Sequence, residues 1–164
     1  MMGMGAALLL AGCSSTQFPG LASIAPRPAA TSSLADAMAA PAPAAPASRS
    51  AYDGLVSKYA ATYGVPESLI HRVIVRESSY NANARNGPYY GLMQISYATA
   101  QSMGYRGPAS GLLDPDTNLN YAVKYLSGAY KVGGGNADQA VRHYARGYYY
   151  DAKRMGLLEE VGLR

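Results

Sequence analysis

One carboxyl group in this chain stands where ionisation is hard. Glu77 closes the apolar run Leu69-Ile70-His71-Arg72-Val73-Ile74-Val75-Arg76-Glu77-Ser78-Ser79. Leu69 or Ile70, Val73 and Glu77 recur at the three-to-four-residue interval that lines one helix face, so Glu77 shares a face with core residues while His71 and Arg72 point elsewhere. Partial burial disfavours the charged form, and the partly negative carbonyl end of a helix disfavours it further. A raised pKa is expected. A carboxylic acid that keeps its proton near neutral pH is suited to protonating a leaving oxygen. An isolated Glu at a helix end is more often simply solvated. Two later runs, Gly91-Leu92-Met93-Gln94-Ile95 and Tyr144-Ala145-Arg146-Gly147, reverse that weighing.

Other chemistries find little support. His71 and His143 are the two histidines and Cys13 is the one cysteine, so there is neither a zinc-ligand pattern nor an intrachain disulfide. No metal and no cofactor are expected. From Ser50 onward the chain carries 12 Lys/Arg against 9 Asp/Glu, without a dense basic cluster. That argues against nucleic acid and fits weak attraction to an acidic polymer.

The elements that must hold Glu77 read as helices. Tyr52 to Tyr63 places Leu55, Val56, Tyr59 and Tyr63 on one face before Gly64 and Pro66 interrupt it. Pro66 suits the first helical position of the next, which runs to Ser78. Asn86-Gly87-Pro88 has turn chemistry. Ser96 caps a brief helix through Met103. A capped helix begins near Asp116, shows Leu119, Ala122, Val123, Leu126 and Tyr130 at helical spacing, and stops at Gly133-Gly134-Gly135. Asn136 or Asp138 opens another, through Tyr144. No period-two alternation stands out, so the expected class is mainly α with little or no sheet. There are 15 tyrosines, one Phe and no Trp. A single tyrosine is more often a core-edge residue, but the clusters flanking the motifs, Tyr89-Tyr90 and Tyr148-Tyr149-Tyr150, suit ring stacking and hydrogen bonding in a sugar groove.

Three segments are expected. Residues 1–13 are apolar or small and end in Leu10-Ala11-Gly12-Cys13, which resembles a bacterial lipoprotein signal with lipid on Cys13. No Lys or Arg precedes the run, so the true start is expected upstream. Residues 14–49 are rich in Ala, Pro and Ser and read as a disordered tether. Fully extended, it would reach ~110 Å. Residues 50–164 form the folded domain.

Glu77-Ser78, then Gly91-Leu92-Met93-Gln94-Ile95 with Ala98-Thr99-Ala100, then Asp114-Pro115 with Asn118 and Tyr125-Leu126, resemble a soluble-type lytic transglycosylase domain with a goose-lysozyme-like fold. The resemblance covers about Tyr52 to Tyr150. It implies a lysozyme-like helical domain that cuts the glycosidic bond between N-acetylmuramic acid and N-acetylglucosamine in peptidoglycan. Glu77 would be the sole acid and base, protonating the bridging oxygen. The sugar's own acetamido group would stabilise the cationic carbon, and the 6-hydroxyl would close a 1,6-anhydro ring without water, an exception to two-carboxylate glycosidase chemistry. No second carboxylate stands as an obvious partner, the next one along being Asp114.

The same resemblance implies substrate-binding roles for Ser78, Gly91, Met93, Gln94 and Tyr144. Ser78 would bond near the scissile bond, or simply close the helix. Gly91 would let the backbone approach sugar, Met93 and Gln94 would line the groove, and the Tyr144 hydroxyl would position the acid. On its spacing alone Met93 is a core residue. The chain departs from the family's Ala-Tyr-Asn-x-Gly pattern, reading His143-Tyr144-Ala145-Arg146-Gly147. Arg146 or the Tyr148–Tyr150 cluster is the candidate to replace the missing amide, and Asn86-Gly87-Pro88-Tyr89-Tyr90 is also atypical. Two alternatives stand beside this reading: a muramidase of the same fold that uses water, and a wall-binding lipoprotein without turnover. With Ser14 rather than Asp after Cys13, the expected place is the periplasmic face of the outer membrane.

Overall fold

A computed structural model of the chain describes residues 48–163. The expected signal at 1–13 with Cys13, and the tether from 14 to 47, lie outside the described residues. The order is a short 3-10 turn at Arg49–Ala51, α1 (Asp53–Tyr63), α2 (Glu67–Ser78), β1 (Arg85–Asn86), β2 (Tyr89–Tyr90), β3 (Ile95–Ser96), α3 (Tyr97–Ser102), a 3-10 turn at Ala109–Leu113, α4 (Pro115–Val132), α5 (Ala137–Arg146) and α6 (Tyr149–Met155). The mainly helical reading holds, and the sheet is small: three antiparallel two-residue strands in the order β1-β2-β3. Arg85 faces Tyr90 and Asn86 faces Tyr89, while Tyr89 faces Ser96 and Tyr90 faces Ile95. Gly87, at φ 58°, makes the tight turn between β1 and β2.

Helix α4 is the axis of the core. Leu119, Ala122, Val123, Leu126 and Ala129 are fully buried on it, and α1, α3, α5 and α6 all pack against it. Gly128 is needed there, because a Cβ would lie 2.2 Å from the Tyr148 hydroxyl. That hydroxyl donates to the Tyr125 carbonyl at 2.9 Å and fixes α6 across the axis.

The capping signals act where the sequence places them, with small shifts. Ser96 Oγ accepts from Thr99 N, and Asn136 accepts from Asp138 N and Gln139 N. The start of α4 is set by Asp114, which accepts from Thr117 N at 2.8 Å with Pro115 behind it. Asp116 is thereby free to take Lys58 at 2.8 Å and the Tyr59 hydroxyl at 3.0 Å. Pro66 is the residue before α2 rather than its first member, with ψ 133°.

Two expectations are corrected. His71 does not point away from the core: it is buried. Its Nδ1 lies 2.9 Å from the Tyr80 hydroxyl and its Nε2 3.5 Å from Asp53. Burial, then Arg49, lowers its pKa. Helix α6 is not among the expected elements, since Tyr149-Tyr150-Asp151-Ala152 buries little besides Ala152.

Candidate active site

Helix α2 delivers Glu77. Leu69, Ile70, Val73 and Ile74 anchor it in the core, and the face they define carries Glu77 to the last turn, where its side chain is 24% exposed. Burial raises its pKa; the Arg76 guanidinium, with Nε 3.7 Å from Oε1, pulls the other way and is the lesser effect. The chain then turns sharply through two left-handed residues, Ser79 at φ 49° and Tyr80 at φ 67°. Ser79 closes α2 by donating its amide to the Val75 carbonyl.

Two adjoining cavities open beside Glu77. One, of about 260 Å³, is lined by Arg76, Glu77, Asn86, Tyr89, Gln94, Tyr144 and Ala145. The other, of about 220 Å³, shares Tyr89, Gln94, Tyr144 and Ala145 and continues past Ser96, Thr99, Tyr125 and Arg146. Together they form a groove. Glu77 is the one carboxylate among the residues lining it. Among the described residues no three His, Cys, Asp or Glu side chains converge as metal ligands would.

The groove's floor is the segment Gly91–Gln94, and it is held from behind by polar bonds. Asn118 is fully buried on α4. Its Oδ1 accepts from Met93 N at 3.0 Å, and its Nδ2 donates to the carbonyls of Tyr90 and Leu112, both at 2.8 Å. Gly91 packs onto this amide at φ 71°, where a Cβ would lie 2.3 Å from Asn118 Nδ2 and 2.5 Å from the Leu112 carbonyl. Ser78 Oγ donates to the Leu92 carbonyl at 2.7 Å, tying the end of α2 to the floor. Tyr144 donates its hydroxyl to the Met93 carbonyl at 2.8 Å. Burial, reinforced by the negative charge of Glu77, pushes its pKa well above the usual phenol value, so it stays a donor.

These contacts reassign several expected roles. The glycine at 91 is required by Asn118 and Leu112 independently of any sugar. The Met93 side chain is fully buried and gives the groove no apolar contact; its backbone is what matters. Ser78 does more than close its helix, since its stronger bond goes to Leu92 rather than to Ile74 at 3.4 Å. Tyr144 bonds the floor rather than Glu77, and lines the same cavity as that carboxyl. Gln94, itself left-handed at φ 47°, donates Nε2 to the carbonyls of Ala84 and Gly91, so its Oε1 is the atom left for a ligand. Arg146 lines the second cavity as expected, with Nη2 2.8 Å from Asp151 and 3.2 Å from His143 Nδ1.

Spacing and motifs assign no role to Asn86, Ser96, Thr99 or Tyr125 in the groove, nor to Asn118 behind it. A signal for Asn118 exists: it falls at i, i+4, i+8 with the buried Ala122 and Leu126, and an amide on an apolar stripe needs buried partners. Tyr89, 46% exposed and shared by both cavities, belongs to a tyrosine cluster already associated with a groove.

Comparison with known proteins agrees with this geometry. The family model for the transglycosylase SLT domain matches residues 54–156. Peptidoglycan transglycosylase gp16 of Escherichia phage T7 is 39% identical over 82 residues, covering 47% of this chain and 6% of that protein. Membrane-bound lytic murein transglycosylase C of Yersinia pestis (strain Pestoides F) is 40% identical over 84 residues, covering 46% of this chain and 24% of the relative. The crystal structure of the 70 kDa soluble lytic transglycosylase from Escherichia coli aligns with a TM-score of 0.57 at 28% identity, over 64% of this chain and 18% of that one. The chain thus spans no more than 24% of the length of any of the three. With the match running from α1 to the end of α6 and so including Glu77 and the whole groove, the chain belongs to the transglycosylase SLT domain family.

Proposed function

We propose that this chain is a peptidoglycan lytic transglycosylase with Glu77 as its acid and base. The observation that carries the reading is a single half-buried carboxyl, its pKa raised by burial, in a groove lined by no other carboxylate. Protonated Glu77 gives its proton to the oxygen bridging N-acetylmuramic acid and N-acetylglucosamine, and that C–O bond breaks. The acetamido oxygen of the muramoyl residue shares the positive charge at the anomeric carbon. Ionised Glu77 then takes the proton of the 6-hydroxyl as that oxygen bonds to the same carbon, closing the 1,6-anhydro ring. Glu77 ends protonated, and no water is consumed.

The floor serves this chemistry by holding still. Tyr144, Ser78 and Asn118 fix the backbone opposite Glu77, which favours a reactive geometry without reorganisation during the reaction. Gln94 Oε1, Arg146, Tyr89 and Asn86 are the groups available to sugar and peptide. In the same reading, residues 1–13 are the signal, Cys13 carries the lipid, and residues 14–49 tether the catalytic domain of residues 50–164 to the periplasmic face of the outer membrane.

The test is digestion of purified sacculi with product masses read out. Products lighter by one water than the hydrolytic ones support the transglycosylase. Reducing-end products would make the chain a muramidase, and no products a binding protein. Glu77→Gln removes the proton and little volume, and is expected to lower turnover by on the order of a thousandfold or more. Equal clearing of sacculi by wild type and variant would remove Glu77 from the mechanism.

A further inference from the structure

The groove does not stop at Gly147. Arg146 and Gly147 also line a neighbouring hollow of about 330 Å³, completed by Tyr149, Tyr150, Asp151 and Arg154. Its charge is unbalanced, with two guanidiniums facing one carboxylate. The Asp151 side chain is 15% exposed, whereas Arg146 and Arg154 are 61% and 72% exposed. Asp151 engages a single nitrogen, Nη2, of each arginine, which leaves further donors of both on the open side. Tyr149 and Tyr150 meet edge to face at 5.3 Å. Both are exposed and neither packs on the core, so folding does not account for them.

We propose that this hollow binds the carboxylate-bearing peptide stem of the glycan strand whose sugars occupy the groove. The inference rests on the peptidoglycan reading above and adds a second chemical class to the substrate contact. Arg146 and Arg154 take the stem's carboxylate, for which planar guanidiniums offer paired donors. The two tyrosine rings cover the stem's backbone and small apolar side chains. A neutral sugar would leave the excess positive charge without a counterpart. Continuity through Arg146 and Gly147 sets the distance: a stem on a sugar in the second cavity reaches the hollow without leaving the surface.

The experiment measures binding, not turnover, so it is independent of the proposed activity. The full chain carrying Glu77→Gln is titrated with soluble glycan fragments bearing peptide stems and with the same fragments stripped of them. The stem-bearing fragments are expected to bind about tenfold more tightly, the scale of a partly exposed charge-assisted contact. Raising the salt should erode that preference. Arg154→Glu should abolish it, and Tyr150→Ala, at a 75% exposed position that cannot threaten the fold, should reduce it several-fold. Stripped fragments should bind all three proteins equally. Equal affinity for both fragment types, or equal loss on both in the variants, overturns the proposal. A stem preference without anhydro products from sacculi would sink the activity and leave this site standing. Anhydro products without a stem preference would do the reverse.

Discussion

The groove has two sides made on opposite principles. Its floor, Gly91–Gln94, is locked from behind: Asn118 uses its oxygen and both amide hydrogens on backbone groups, and Ser78 and Tyr144 hold two further carbonyls. In the wall beyond it, Arg146 to Arg154, buried Tyr148 anchors the backbone, but the side chains that face outward are exposed arginines paired with Asp151 and exposed tyrosines. Buried bonds cost much to break, because an orphaned polar group has no water to turn to. Exposed ion pairs cost little. Reacting groups must be placed within fractions of an ångström, while a long flexible polymer is better met by side chains that can adjust. The groups next to Glu77 are therefore pinned by buried bonds, while the side chains at the far end stand exposed.

The sharpest way to break this contrast is Asn118→Ala. It orphans three backbone groups, two of them in buried bonds, and should cost about 3 kcal/mol or more in stability, read from the urea midpoint. A loss below about 1 kcal/mol would mean that the floor is not pinned by this amide. Next comes Tyr144→Phe, which leaves the Met93 carbonyl unpaired and should cost about 1–2 kcal/mol. Turnover should fall on the order of tenfold through misplacement of the floor, with kcat affected more than KM. A change confined to KM would make Tyr144 a substrate contact instead.

The pH dependence of stability sharpens the comparison further. Glu77's folded pKa is raised by burial, so the folded state holds the proton more tightly than the unfolded chain. Stability is then lost as pH rises from the ordinary Glu value through the raised one, with a slope of at most about 1.4 kcal/mol per pH unit. Glu77→Gln should abolish that fall and be the more stable protein at neutral pH. The buried histidines act at the other end. Burial lowers the pKa of both His71 and His143, so stability is lost as pH falls from about 6.5 through their folded values. Thermal melts of wild type and the Gln variant between about pH 4 and 8, an interval that spans the ordinary values of both kinds of group, separate the two. The smallest effect is expected from Arg146→Ala: less than about 1 kcal/mol in stability, since the Arg is exposed, and a change in KM rather than kcat. A collapse of the fold would show that the far wall is as structural as the floor.

The helices α1, α2, α4 and α5 are legible in the sequence because their apolar spacing and caps are local properties. So are Glu77's place on the core face and the raised pKa that follows from it. Two of the misread residues share one cause. Gly91 and His71 are decided by what packs over them, and nothing in their neighbours along the chain names that partner; Met93 is a core residue on its spacing, and only the family resemblance put its side chain in the groove. Gly91 answers to Asn118, 27 positions away in sequence, through a close approach that no local pattern encodes. Helix α6 escapes for the opposite reason: too short and too polar to show a period, it exists because Tyr148 is buried against Gly128 and Tyr125.

What the sequence determined by itself was a carboxyl at a helix end, the order of the motifs, and the mainly helical class. These follow from residue type and spacing, and spacing within a helix is already geometry. What only the tertiary structure decided was which atoms line the groove. The floor offers backbone where side chains were expected, because hydrogen bonds between segments far apart in the chain turn Met93 and Gly91 inward and leave Gln94, Tyr89 and Arg146 at the opening.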